Sequence, residues 1–231
     1  MNQDDLKPIA RIAPNAARSV AQTLSLNLGP QHPACHGTLR LKVELDGEVV
    51  VKCDPEIGFL HTGFEKLGEH RTYNQWITVT DRANYLSALS NNIGYVQAVE
   101  ELLGVELPVR GQYARVLLAE LSRLADHVIC VGLQAMDMGA FSAMLWTFIE
   151  RERLYDLFEH AAGARLTPSW PRIGGLFRDL PENFPALVRQ KTARVAEIVA
   201  EVEAMLDGNR IWQDRTRGVG VISAEEALAW G

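Results

Sequence analysis

An α+β fold, with a small N-terminal antiparallel sheet followed by a mainly α-helical bundle, is predicted by three observations. Alternation of apolar and polar residues is confined to the part of the chain before Pro55. Helical apolar spacing then runs through several long segments. Between them lie Gly104, Pro108, Gly111, Gly139 and the stretch "LTPSWPRIGGLFRDLP", which break helices.

The elements follow in order. Residues 1–22 contain no apolar run and carry Asp4 and Asp5, so they read as a loose tail and not as a signal or transit peptide. "LSLNL", residues 24–28, alternates as a half-buried strand does. "TLRLKVELDGEVVVKC" reads as two strands around an Asp46-Gly47 turn, with Leu39, Leu41, Val43 and Leu45 on one face and Arg40, Lys42 and Glu44 on the other. This β-rich region covers 23–57, and 58–231 is read as helical. A helix over 81–104 is expected to be capped by Thr80 or Asp81 and to end at Gly104, with Leu86, Leu89, Ile93, Val96 and Val99 on one side. A second is expected over 113–139 and a third over about 140–162. A fourth, over 183–206, has alternating charges that predict a solvent-facing surface.

Composition excludes several classes. With 47% apolar and 23% charged residues the chain is globular in character. Its 23 Lys+Arg against 29 Asp+Glu leave −6, which disfavours general binding to nucleic acid or anionic lipid. Cys35, Cys53 and Cys130 are widely spaced and form no CxxC, so neither a disulfide framework nor an iron-sulfur or structural zinc site is expected from this chain. A reducing cytoplasm suits that usage. Residues 128–149 are long and apolar enough for a membrane span. Gln134, Asp137, Ser142 and the break at Gly139 instead predict buried helix in a soluble core.

Chemistry concentrates in "NLGPQHPACHGTLR", residues 27–40, the connection between the first two strands. Two histidines are too few for a closed metal site, and Pro30 and Pro33 keep them off a common helix face. Cys35 and His36 are adjacent on extended chain and point apart, which disfavours a nucleophile-base dyad. A binding loop and a loop whose histidines satisfy backbone groups both remain open. Tyr85 reads in isolation as a core tyrosine with a bonded hydroxyl. Asp137 needs a partner, as a cap, as a salt bridge to Arg123 or Arg151, or as the carboxylate that orients and charges a histidine. "ELSRLADH", 120–127, predicts ion pairs along a helix, and "RIGG", 172–175, a tight turn or a weak anion nest.

Taken together, "GPQHPACHG", "DPEIGFLHTGFEKLGEHRTY", "TDRANYL", "ELSRLADH", "MDMGA", "FIERERLYDLFE", "RIGG" and "RTRGVGVIS" occur in an order that resembles the D subunit of respiratory NADH:quinone oxidoreductase, the hydrogenase-like large subunit of complex I. The resemblance runs from about residue 24 to the end. It implies a [NiFe]-hydrogenase-large-subunit-like fold and a peripheral-arm subunit of a proton-translocating enzyme, on the cytoplasmic face of the plasma (inner) membrane. His36 and Tyr85 are then the groups that hydrogen-bond a quinone head group, Asp137 pairs with His36, and His32 supports the loop. The implied partners are the neighbouring subunit carrying the terminal iron-sulfur cluster, which completes the quinone chamber, and the quinone-channel membrane subunit. No cofactor is expected on this chain; the iron-sulfur cluster and NAD belong to neighbouring subunits, and the isolated chain is expected to be inactive. Family members continue past the position of Gly231 through a segment that completes the bundle, which implies a fragment, a split subunit or a truncated paralogue.

Two competing readings carry their own signatures. A [NiFe]-hydrogenase catalytic subunit would need paired-cysteine motifs, yet the region after "GFLHTGFEKL" reads "WITVTDRANYL". A non-enzymatic assembly or interaction protein derived from the same family would keep the fold for docking.

Overall fold

The computed structural model describes residues 23–33 and 35–231. The expected tail, residues 1–22, lies outside them. The chain divides into two compact units between residues 62 and 63.

The first unit is a three-stranded antiparallel sheet in the order β1-β2-β3: β1 Leu24–Leu28, β2 Arg40–Asp46 and β3 Val49–Glu56. Leu26 pairs with Val43 and Val43 with Cys53, so the central strand brings its apolar face to both neighbours. Gly47, with φ 64, makes the tight β2-β3 turn that "DGE" predicted. β3 continues through Pro55 to Glu56, three residues past Cys53, where the expected strand ends. Proline is tolerated there because, among the described residues, β3 is an edge strand with no outer neighbour to miss its N–H.

The second unit is helical, with α1 Phe64–Gly68, α2 Tyr73–Thr80, a 3-10 turn Tyr85–Ser87, α3 Ala88–Leu103, α4 Val109–Asp137, α5 Phe141–Ala162, α6 Phe184–Asp207, α7 Arg210–Thr216 and α8 Ala224–Trp230. A two-stranded hairpin, β4 Pro171–Arg172 with β5 Gly175–Leu176, interrupts it. The α+β class is as predicted. Its core is built where α3, α4, α5 and α6 meet, from Leu89, Leu118, Leu121, Leu154, Phe158, Trp170, Phe184 and Val195. A second cluster joins Ala135 and Ala143 to Ile198, Val202 and Leu206.

Two expectations are corrected. The helix expected from Asp81 begins only at Ala88, because α2 starts earlier at a Thr72–Gln75 capping box and ends at Thr80. The Asp81 side chain is not spent as an N-cap; it is fully buried and accepts hydrogen bonds from Ser169. And α6 is not simply solvent-facing, since Val195, Ile198, Val202 and Leu206 form a buried stripe beneath its charges.

The apolar stretch 128–149 is broken at its middle. α4 ends at Asp137, Gly139 takes φ 96, and α5 starts at Phe141 and packs back along α4. Among the described residues no helix is long and apolar enough to cross a membrane.

Candidate functional site

The histidine loop belongs to the first unit and closes on its own backbone. Gln31 N–H donates to Gly37 O (3.1 Å), Cys35 N–H to His32 O (2.9 Å) and Leu39 N–H to His36 O (3.1 Å). Its neck is Gly29, at φ 88, where an added Cβ would lie 1.9 Å from the Leu39 carbonyl oxygen. Only a residue without a side chain fits there. The loop leaves His32 and His36 exposed and Cys35 half-buried. His32 and His36 each take part in further side-chain interactions. Among the described residues no group of three His, Cys, Asp or Glu side chains could hold a metal ion.

Tyr85 and Asp137 belong to the second unit. Tyr85 starts the 3-10 turn ahead of α3 and is 49% exposed, so it is not the core tyrosine that its isolated reading favours. Two other tyrosines of this unit make the contrast. Tyr155 is buried and its hydroxyl accepts from Arg151 (2.6 Å); Tyr95 donates to the Tyr73 carbonyl (3.0 Å). Tyr85 has no such internal bond among the described residues. What is fixed is its backbone. The Asn84 amide donates to the Asp126 carboxylate (3.1 Å), and the Asn91 amide donates to the Asn84 carbonyl (3.0 Å). Further along the turn, the Ser87 and Ser90 hydroxyls bond each other (3.1 Å), and Ser90 reaches Ala119 O of α4 (3.4 Å).

Asp137 is the last residue of α4 and is exposed. A carboxylate there faces the negative end of the helix dipole. Arg215 of α7 offsets this: its guanidinium donates to Met138 O (2.7 Å), at the C-cap of the same helix. Arg123 lies about four turns earlier on α4 and pairs with Glu120 (3.1 Å), while Arg151 bonds the Tyr155 hydroxyl, so both suggested salt-bridge partners are engaged elsewhere. Asp137 has its own further interactions. Asp126, which touches the Tyr85 turn, and Asp137 are separated by about 16 Å of α4 helix axis.

Of the remaining motifs, "ELSRLADH" forms one predicted ion pair, Glu120 with Arg123, while Asp126 is drawn off to Asn84. "RIGG" makes the β4-β5 turn, and a protein carboxylate takes up its backbone donor. Gly174 N–H donates to Glu100 (2.6 Å). Glu100 and Arg115 are both buried and joined by two bonds (2.7 and 2.6 Å), and Arg115 also donates to Arg172 O (2.8 Å) and Gly175 O (3.0 Å). Burial alone would raise the Glu100 carboxyl pKa. The Arg115 and Gly174 donors outweigh it and hold the group below the ordinary range. Asp81 goes the other way: burial pushes it up against the pull of Ser169 and Asn92. Sequence reasoning read Asp81 only as a cap and missed Ser169 and the role of Arg215. The long gap from 81 to 169 leaves no local signal for that pair, whereas Arg215 stands in the quoted "RTRGVGVIS" block.

Comparison with known proteins gives a consistent result. Residues 137–231 match the family model described as the respiratory-chain NADH dehydrogenase, 49 kDa subunit. The chain is 50% identical over 210 residues to the NADH-quinone oxidoreductase D subunit of Geotalea uraniireducens, covering 91% of this chain and 54% of that protein. The corresponding D subunits of Akkermansia muciniphila (50% over 217 residues; 94% and 52%) and Myxococcus xanthus (52% over 206; 89% and 50%) are similar to the same degree. The chain therefore spans about half the length of the curated relatives it matches.

Proposed function

We propose a function from one premise: the chain belongs to the family of the respiratory-chain NADH dehydrogenase 49 kDa subunit, the D subunit of NADH-quinone oxidoreductase, which is part of an oxidoreductase complex. In this reading it is the quinone-binding subunit of a proton-translocating NADH:quinone oxidoreductase. With the iron-sulfur subunit beside it, it walls the chamber in which quinone becomes quinol, peripheral to the cytoplasmic face of the membrane and next to the membrane subunit through which quinone enters.

Tyr85 carries the proposal. A half-exposed phenol with no internal bond among the described residues, on a turn pinned at several points, is an arrangement that a packing role does not require. Quinone reduction takes two electrons and two protons, and the carbonyl oxygens lie on opposite sides of the ring, so two donors must approach from separate elements. Tyr85 would donate to one oxygen and His36, on its self-closed loop, to the other, with His32 supporting that loop. Asp137 would pair with His36 and orient it for that contact.

Cys35, Cys53 and Cys130 are free thiols. Electrons would enter from the iron-sulfur cluster of the neighbouring subunit, and NADH would be oxidised on another.

The test is made on the assembled complex. Tyr85→Phe and His36→Gln are each expected to lower quinone reductase activity about tenfold or more, while NADH oxidation by an artificial acceptor survives. Equal loss of both activities would count against a quinone role. Absence of this chain from the purified complex would favour the alternative, a docking protein without catalysis.

A further inference from the structure

The turn carrying Tyr85 lies between α2 and α3, and one small hairpin holds both helices. On the α2 side, Asp81 at the helix C-cap is fully buried and accepts from the Ser169 backbone N–H (3.3 Å) and from the Ser169 hydroxyl. On the α3 side, Glu100 accepts from Gly174 N–H, and Arg115 ties Glu100 to the carbonyls of Arg172 and Gly175. Between these attachments Trp170 is fully buried, which locks the hairpin to the core.

Ser169 itself sits at φ 41, in the left-handed region that a residue with a Cβ rarely enters. Its carbonyl accepts from Arg172, its N–H and hydroxyl are both spent on Asp81, and so the strained conformation is held from three directions. Backbone strain held in this way concentrates at sites where geometry matters to function. Asp81 is four residues ahead of Tyr85, and the residues between them are turn. A slip of the α2 end relative to α3 is therefore passed into the short turn that carries the tyrosine.

We propose that Ser169 and Asp81 are a positioning pair: by fixing the end of α2 against the β4-β5 hairpin they set where the Tyr85 hydroxyl stands for quinone. The inference rests on the quinone reading of Tyr85. Neither residue touches the quinone; both act through the turn. A displacement of about 1 Å in a donor can cost on the order of a hundredfold in rate, so a smaller shift still gives a measurable loss.

A double-mutant comparison in the assembled complex tests this. Ser169→Gly removes the hydroxyl, keeps the N–H bond to Asp81 and adopts the observed φ without strain. Alone it is expected to lower kcat/KM for a short-chain quinone about tenfold with artificial-acceptor activity unchanged; added to Tyr85→Phe it is expected to cost no more than about twofold further. An equal tenfold loss in both backgrounds, or no loss in the first, overturns the positioning role. If Tyr85→Phe by itself leaves quinone reduction intact, the quinone reading has failed and the positioning role with it. A loss from Tyr85→Phe with none from Ser169→Gly removes only the positioning pair. Should Ser169→Gly prevent assembly, Asp81→Asn, which keeps an acceptor and removes the charge, carries the same comparison.

Discussion

At the scale of single residues, the buried pair Glu100 and Arg115 has the largest structural consequence. Each guanidinium or carboxylate removed from water is costly, and here the cost is met by two mutual bonds plus Gly174 N–H and two hairpin carbonyls. Glu100→Ala would leave Arg115 buried without its counter-charge, and a loss of about 3–5 kcal/mol in unfolding free energy is expected by denaturant titration. The pH dependence follows from the lowered Glu100 pKa. The unfolded carboxyl binds protons first on acidification, so the stabilisation from this group is complete above its unfolded value and disappears as pH falls through the depressed folded value. Glu100→Gln should flatten that part of the stability curve between about pH 5 and the acid limit. An unchanged slope in the variant would mean that the pair is not coupled to folding as described.

Among the elements, α4 and α5 cross in close contact. A Cβ on Gly132 would lie 2.0 Å from the Thr147 hydroxyl, 3.1 Å from its Cβ and 3.3 Å from the Met144 Cα, so the two helices approach at a point that only glycine allows. Alanine would gain about 1 kcal/mol of helix propensity. It would lose roughly 1–3 kcal/mol to overpacking against an adjacent helix backbone. Gly132→Ala is therefore expected to be net destabilising, read as a lower Tm; a raised Tm would show that α5 yields at this point. The sequence offered Gly132 only as one glycine within a helical pattern. Its partner Thr147 is brought to it when α5 packs back along α4, and no local spacing encodes which residues of the two helices then meet. The stripe of α6 was similarly obscured: Val195, Ile198 and Val202 recur with helical spacing, but the charged residues between them dominate its composition.

For the whole molecule, the two units differ in how much they bury. Core clusters of buried residues lie in the second unit, whereas among the described residues of the sheet unit Val43 is the buried apolar side chain, with Leu24, Val49, Val50 and Val51 exposed. Small units with little buried apolar area do not offset the conformational entropy of folding. Residues 63–231 expressed alone are expected to give one cooperative thermal transition by far-UV circular dichroism, and residues 1–62 alone none. A cooperative transition in the short piece would contradict the imbalance.

How much could be read from the sequence depends on the range of each interaction. The strands at 24–28 and around Asp46-Gly47, the helix ends at Gly104 and Gly139, and the histidine loop between β1 and β2 were legible, because each follows from alternation, helical period or a breaker within a few residues. The family also was legible, from quoted blocks along a chain that is about half identical to the D subunits it matches. What the tertiary structure alone decided were the pairings across distance: Asp81 with Ser169, Glu100 with Arg115 and the hairpin, Arg215 at the end of α4, and the exposure of Tyr85. Local sequence sets backbone preference, but where a carboxylate finds its donor depends on which helices pack together, and that is determined only by the folded chain.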